Sequence, residues 1–169
     1  MAKINVDAAL SKSGGVAAVG AVARDAMGGF LGASGLVIKG ILDPETMEAE
    51  ACREGIALAK DLYLTNLRLA SDCQTVIRRI NGGDTLGKYG QIVCEIKDTS
   101  TEFQKIEFAH EERLTNINAH NLARSCISLD LGRHVGFMIP PDGVCRQRGQ
   151  QVSDALFSSP GYPRGLRDF

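Results

Sequence analysis

The chain has 169 residues, 44% of them hydrophobic, which suits a single domain with a sizeable core. It carries 19 Lys and Arg against 20 Asp and Glu, and this balance gives no support for tight nucleic-acid binding through a broadly basic surface. No run of about 18 apolar residues is present. The N-terminus MAKINVDAAL also lacks the apolar stretch of a secretion signal. We therefore expect an intracellular protein of the nucleus or cytoplasm that does not insert into a membrane.

Three β-like runs separated by glycine-rich turns occupy the region from Lys3 to about Val37. They are KINVDAA, VAAVGAVARD and FLGASGLVI, which together predict an antiparallel meander with short loops. Further along, LTNLRLAS predicts a fourth strand. KIEFAHE predicts a fifth, because Ile106 and Phe108 alternate with polar neighbours.

Helical signals appear between and after these strands. Asp43 and Pro44 predict a helix start, as N-cap and first helical residue, and that helix is expected to run to about Leu62. Apolar spacing predicts three more helices, in CQTVIRRIN, near 91–103 and over about 116–131. The order β-β-β-α-β-α-α-β-α predicts an α/β fold with a five-stranded mixed sheet and helices packed on its faces.

Composition divides the chain near residue 144. Residues 145–169 are rich in Gly, Pro, Ser, Arg and Gln and have no sustained period, so we predict a disordered tail after a domain of residues 1–144. The five cysteines are scattered, with no C-x-x-C pair. This pattern argues against a disulfide framework or a zinc site and favours small core residues.

The first helix contains MEAEACREGIALA, in which the glutamates fall on different faces. Ala51, Cys52 and Gly55 begin an apolar stripe that continues through Leu58, and Glu48 extends this stripe towards the sheet. Glu50, Glu54, Ala57 and Asp61 form the opposite stripe, which we expect to be solvated. Glu48 has a simpler interpretation as an acid in the first turn that favours the helix dipole.

Two aspartates give Glu48 a second interpretation. Asp7 is an unfavourable strand residue within the first predicted strand, and Asp72 ends the fourth, at the sheet edge where α/β proteins bind ligands. Asp72 taken alone is equally typical of a helix N-cap. If the first and fourth strands are neighbours, the carboxylates of Asp7, Glu48 and Asp72 converge, and oxygen ligands of this kind suit Mg²⁺ or Mn²⁺.

The succession of these motifs is similar to a known family. KINVDAA, GAVARDAMGGFLGASG, MEAEACREGIALA, LRLASDC, FAHEERLTNINAHNLARS and PPDGV, from Lys3 to Val144, resemble the plant ribonuclease H-like domain, the reverse-transcriptase-like family related to ribonuclease H. The resemblance implies the ribonuclease H-like fold with strand order 3-2-1-4-5. It also implies that Asp7, Glu48 and Asp72 are catalytic, metal-binding carboxylates.

The fourth acidic position of the family falls on His120, within a pattern matched by Arg113, Asn116, Ala119, His120, Leu122 and Ala123. An imidazole adds no negative charge and suits Mg²⁺ poorly. The segment NGGDTLGKYG is short and nearly uncharged, where some relatives carry a basic element that holds the substrate. Both departures weaken the expectation of full activity.

Two functions therefore stay open. One is a metal-dependent endoribonuclease, a monomer that hydrolyses the RNA strand of RNA/DNA hybrids by a two-metal mechanism with Mg²⁺ or Mn²⁺. The other is a catalytically inactive, retroelement-derived module of the same fold that binds nucleic acid or protein. Candidate catalytic residues are Asp7, Glu48, Asp72 and His120, and candidate substrate contacts are Lys12, Arg24, Arg78, Arg113 and Asn116.

Overall fold

The computed structural model describes residues 1–40 and 43–136, so the predicted tail lies outside the described residues. Ten elements follow one another: β1 (Ala2–Ser11), β2 (Val16–Arg24), β3 (Phe30–Lys39), α1 (Pro44–Asp61), β4 (Asn66–Ser71), α2 (Gln74–Gly82), α3 (Gly90–Ser100), β5 (Lys105–His110), α4 (Ile117–Cys126) and β6 (Gly132–Gly136). None of the helices in these two ranges is both long and apolar enough to cross a membrane.

The strands form one mixed sheet in the order β5-β4-β1-β2-β3-β6. The meander β1-β2-β3 is antiparallel, whereas β4 pairs with β1 and β5 pairs with β4 in parallel. The predicted order 3-2-1-4-5 is thereby confirmed, but the predicted number of five strands was wrong, because β6 adds antiparallel to the outer edge of β3.

Helices cover both faces of this sheet, and the residues of β1 and β2 alternate between them. Ile4, Val6 and Ala21 belong to the larger buried cluster, which includes the inner face of α1. Ala18 and Val22 belong to a smaller cluster on the other face, together with Leu122 and Cys126 of α4. Because Asp7 pairs directly with Gly20, between Ala18 and Val22, the Asp7 side chain points to the α4 face.

Two glycines set how closely α1 and α4 approach the sheet. A Cβ atom on Gly55 of α1 would lie 2.7 Å from Cγ1 of Val6, and one on Gly20 of β2 would lie 2.8 Å from the backbone nitrogen of Ala123 in α4. Real Cβ atoms essentially never approach other atoms so closely. The backbone of α4 therefore packs on the backbone of β2 at Gly20, whereas α1 packs at Gly55 on side chains of β1 and β4.

The predicted solvated stripe of α1 was wrong for two glutamates, since Glu50 and Glu54 are each only 5% exposed. Arg53 joins Glu50 to Glu95 of α3 through two contacts of 2.6 Å. Arg133 of β6 contacts Glu54 at 2.7 Å and Asp61 at 2.6 Å. The outer face of α1 is thus covered by two neighbouring elements, and its carboxylates are paired with arginines.

The prediction that the cysteines are small core residues was confirmed for Cys52 and Cys126 and was wrong for Cys94, whereas Cys145 lies outside the described residues. Cys52 and Cys126 are buried, Cys73 is half-buried and Cys94 is exposed, all as free thiols. Burial raises the pKa of the Cys126 thiol to about 11, so this thiol stays protonated and behaves as a small apolar core group.

Replacing Arg133 with Met should leave the buried Glu54 without its partner. We expect the free energy of unfolding to fall by about 2 kcal/mol, the size of penalty that follows when a buried charged acceptor loses its donor. Lys60→Met removes an exposed ion pair of the same helix, with Glu102, and should cost less than about 1 kcal/mol. Urea unfolding of both variants tests this difference, and equal losses would show that β6 does not anchor α1.

Gly20→Ala should push α4 off the sheet, because the added methyl would lie against the backbone of Ala123 and the carbonyl oxygen of Ala119. We expect a loss of about 1–3 kcal/mol, typical of overpacking. Gly82→Ala is the matched control, since a Cβ there meets nothing within 4 Å. Thermal unfolding measures both changes, and a Gly20→Ala variant as stable as wild type would contradict the close packing of α4.

Candidate metal centre

Asp7 and Asp72 lie at the same edge of the sheet because β1 and β4 run in parallel. The last residues paired between these strands are Val6 and Ser71, and each aspartate follows one of them directly. Glu48 comes from the first half of α1. One carboxylate oxygen from each of the three side chains lies within 4.8 Å of the others, so the predicted convergence is present in the structure.

Local interactions show that neither Glu48 nor Asp72 serves as a helix cap. The cap of α1 is Asp43, which accepts from the backbone nitrogen of Thr46 at 3.0 Å and from its hydroxyl at 2.6 Å. The N-cap of α2 is Cys73, with no side-chain cap bond. The acidic residue in the first turn of α1 is Glu45 and not Glu48. Neither the dipole interpretation of Glu48 nor the N-cap interpretation of Asp72 therefore accounts for these acids.

Burial and mutual repulsion make full ionisation of the three acids unfavourable. Burial raises the pKa of Glu48 to about 9, and the charges of Asp7 and Asp72 contribute to the rise. Burial, followed by the charge of Asp72, also raises the pKa of Asp7, although a hydrogen bond with His120 opposes this. Such a cluster is stabilised in its ionised form when a cation neutralises it.

His120 of α4 contacts the cluster through Asp7. Its Nδ1 atom lies 2.6 Å from Oδ2 of Asp7, and its Nε2 atom lies 3.4 Å from a terminal nitrogen of Arg113. Within the described residues, the group of metal-ligand atoms that lie mutually close comprises the three carboxylates and does not include His120.

The predicted substrate contacts are spread over the molecule. Arg113 is exposed beside His120, and Arg78 is exposed on α2. Lys12 is exposed in the turn after β1. Arg24 lies opposite Lys3 in the ladder between β1 and β2, and Gly20 lies opposite Asp7. Arg24 is therefore four residues, or about 13 Å, along β2 from the residue that pairs with Asp7. Asn116 is only 1% exposed, and its amide donates to the carbonyl oxygen of Val6 at 2.8 Å, so it supports β1 from inside.

The sequence prediction missed a polar network beside the acids. Glu111 follows β5 at the same sheet edge, and its backbone nitrogen donates to the carbonyl oxygen of Ser71. Its carboxylate accepts from Lys3 at 2.6 Å and from Asn5 at 3.3 Å. Although partial burial raises the pKa of Glu111, these hydrogen bonds and the Lys3 charge bring it below its usual value. Glu111 directly follows a strand, as Asp72 does, and this position in the sequence could have indicated that it lies at the same sheet edge.

Sequence comparison identifies the family to which this fold and site belong. The family model described as "Reverse transcriptase-like" matches residues 5–126, which is most of the chain. The chain belongs to the reverse transcriptase-like family. Among curated proteins, no relative matches the sequence significantly.

Several solved ribonuclease H structures are similar to this member of the reverse transcriptase-like family. RNase H1 from the halophilic archaeon Halobacterium salinarum NRC-1 is 24% identical, with a TM-score of 0.67 over 73% of this chain and 95% of that one. The N-terminal RNase H domain of a Mycobacterium tuberculosis protein is 21% identical, with a TM-score of 0.67 over 75% and 92%. LC11-RNase H1, solved with an RNA/DNA hybrid, is 20% identical, with a TM-score of 0.66 over 75% and 96%. These structural similarities establish the ribonuclease H-like fold.

The donor set fits a hard divalent cation. Asp7, Glu48 and Asp72 offer carboxylate oxygens only, which are the ligands that Mg²⁺ and Mn²⁺ prefer. Because burial and the neighbouring acids raise the pKa of Glu48, a cation bound beside it would favour its ionised form. We therefore interpret the cluster as a candidate metal centre.

Without divalent cations, stability should depend on pH through Glu48. The pKa of its carboxyl is 4.5 ordinarily and about 9 in the folded protein, so the folded state holds the proton more tightly. The favourable contribution is complete below the ordinary value and is lost as pH rises towards about 9. We expect the melting temperature in EDTA to fall between about pH 5.5 and about pH 8.5, and Mg²⁺ to restore it at the higher pH.

The Glu48→Gln variant should lose most of this pH dependence and of the Mg²⁺ effect, because its amide does not titrate. The control Glu45→Gln changes an exposed glutamate in the first turn of the same helix and should follow the wild type. A Glu48→Gln variant with an unchanged pH profile would show that Glu48 is not the titrating group.

Proposed function

We propose that the protein is a metal-dependent endoribonuclease of the ribonuclease H type, acting on the RNA strand of RNA/DNA hybrids. The observation that carries this proposal is the convergence of Asp7, Glu48 and Asp72 within 4.8 Å at the edge of a ribonuclease H-like sheet. The similarity to LC11-RNase H1, a structure solved with an RNA/DNA hybrid, supports the choice of substrate.

The three carboxylates would hold Mg²⁺ or Mn²⁺. A bound divalent cation supplies Lewis-acid chemistry, activating water and offsetting the charge that develops at the scissile phosphate. Asp7 is buried and Glu48 is half-buried, and this shielding from solvent strengthens their interaction with a cation. Hydrolysis would leave a 5′ phosphate and a 3′ hydroxyl.

Exposed cations around the site would contact the nucleic-acid backbone. Arg113 stands beside His120 and Arg78 is exposed on α2, the helix that begins just after Asp72. Lys12 is exposed in the turn after β1, five residues along the chain from Asp7. Such contacts position a nucleic acid without reading its sequence, which fits an enzyme that recognises the hybrid by its backbone. The contacts themselves remain predictions.

A catalytically inactive module of the same fold is the second candidate, and the segment between α2 and α3 favours it. Arg79 lies over the ring of Tyr89, 4.2 Å from its centroid, and pairs with Asp84 at 3.2 Å. Lys88 pairs with Asp43 at 3.1 Å. The side chains of Arg79 and Lys88, near the expected substrate-holding element, are therefore paired within the protein. This pairing would lower the affinity for a hybrid. Monomeric state and intracellular location also remain predictions.

Cleavage of a labelled RNA/DNA hybrid with Mg²⁺ and with Mn²⁺ tests the enzyme. We expect cleavage of the RNA strand alone. Glu48→Gln should reduce the rate at least about a hundredfold, as loss of one electrostatic stabilising group does. Glu45→Gln, which changes an exposed residue of the same helix, should retain the wild-type rate.

Hybrid binding, measured by fluorescence anisotropy, separates the two candidates. If the protein binds the hybrid but does not cleave it with either Mg²⁺ or Mn²⁺ present, the inactive module is favoured. Cleavage that survives in Glu48→Gln would rule out the proposed site and point to a contaminating nuclease.

A further inference from the structure

We infer that His120 is a positioning residue, which donates a hydrogen bond from Nδ1 to the Asp7 carboxylate and is not itself a metal ligand. This inference rests on the metal site of the proposed function. It assigns a specific role to the residue that occupies the family's fourth acidic position.

The contact between the two side chains is short and shielded. Nδ1 of His120 and Oδ2 of Asp7 are 2.6 Å apart, and the exposed fractions of the two side chains are 17% and 4%. A hydrogen bond to a charged group at this distance, away from water, is among the stronger ones in proteins. It fixes the orientation of the Asp7 carboxylate.

Arg113 determines which ring nitrogen donates. A guanidinium can donate hydrogen bonds but has no acceptor, and a terminal nitrogen of Arg113 lies 3.4 Å from Nε2 of His120. Nε2 is therefore the acceptor, and the ring proton sits on Nδ1, facing Asp7. With Nε2 turned to Arg113 and Nδ1 carrying a proton, the ring presents no lone pair to a cation.

The backbone beneath the ring is anchored to the same strand that carries Asp7. Asn116 donates to the carbonyl oxygen of Val6 at 2.8 Å and accepts from Asn5 at 2.9 Å. The backbone nitrogen of His120 donates to the carbonyl oxygen of Asn116 at 3.1 Å. Asn116, Val6 and His120 thus tie the start of α4 to β1, so the imidazole reaches Asp7 from a fixed direction.

This geometry places His120 outside the metal ligands and gives it the role of an outer-shell partner. Such partners orient carboxylate ligands, and their loss typically costs 10–100-fold in metal affinity. Asparagine preserves the pattern at position 120, since its amide can donate to Asp7 and accept from Arg113. Leucine fills a volume similar to that of histidine but can neither donate a hydrogen bond to Asp7 nor accept one from Arg113.

The first measurement uses metal-free protein, and its result does not depend on activity. Long-range ¹H–¹⁵N spectra of the histidine ring should show that Nδ1 of His120 is protonated and that Nε2 is not. A spectrum with Nε2 protonated and Nδ1 unprotonated would overturn the inference. Because neither metal nor hybrid is present, this result stands whether or not the protein proves to be a nuclease.

The second measurement uses Mn²⁺ as the probe. Pulsed EPR of the Mn²⁺-loaded wild type should show no directly coordinated nitrogen. Mn²⁺ affinity should stay within about twofold in His120→Asn and fall about tenfold in His120→Leu. The control Ser125→Leu changes an exposed residue of the same helix and should bind as the wild type does, and circular dichroism verifies that each variant is folded.

Two results would overturn the assignment. One is a nitrogen coupling in the wild type that disappears in His120→Asn, because this would make His120 a ligand. The other is a folded His120→Leu variant with unchanged Mn²⁺ affinity. Failure of hybrid cleavage with both measurements as expected would reject the proposed activity and leave this role of His120 in place.

Discussion

The parallel ladder between β1 and β4 is the constraint on which the candidate site depends. It places the residues after Val6 and Ser71 at one edge of the sheet. Asp7 and Asp72 are therefore neighbours even though their negative charges repel each other. Two like charges held by backbone pairing repel each other, and both disfavour ionisation of the nearby Glu48. The backbone hydrogen bonds of the sheet hold the acids together against this cost, which is the usual way in which a fold maintains a strained functional site.

Close packing of helices on both faces completes the arrangement. α1 approaches through Gly55 and carries Glu48, whereas α4 approaches from the other face through Gly20 and carries His120. Asp7 therefore has the Glu48 carboxyl group close to it on one side and accepts a hydrogen bond from the His120 imidazole on the other. The candidate metal centre at this sheet edge thus combines side chains from the helices on both faces of the sheet.

Local patterns were sufficient to predict most of the fold and three of the site residues. Strand alternation placed Asp7, helical phase placed Glu48, and the strand-to-helix junction placed Asp72. The same local reasoning failed for Glu50 and Glu54, because a helical period identifies the most apolar face and says nothing about what covers the opposite one. Glu50 is linked through Arg53 to Glu95, and Glu54 is paired with Arg133. Glu95 and Arg133 lie about 40 and about 80 positions further along the chain, so a local pattern does not reveal them.

The strand β6 was missed for a related reason. GRHVG has one apolar residue among small and polar ones, so it is extended through its pairing with β3 and not through its own preference. The contact between His120 and Asp7 was equally out of reach, because it depends on the distance between α4 and the sheet, set by Gly20 in another strand.

The position of β6 in the chain has a consequence for how the protein folds. Ala33 pairs with Gly136, so one edge of the sheet closes only when residues about 100 positions apart meet, a contact that forms slowly. Until then β3 presents unpaired backbone groups at the sheet edge. Because β6 is the last of the described strands to be synthesised, β3 has no partner on its outer side until then, and an unpaired strand edge of this kind can pair with another chain.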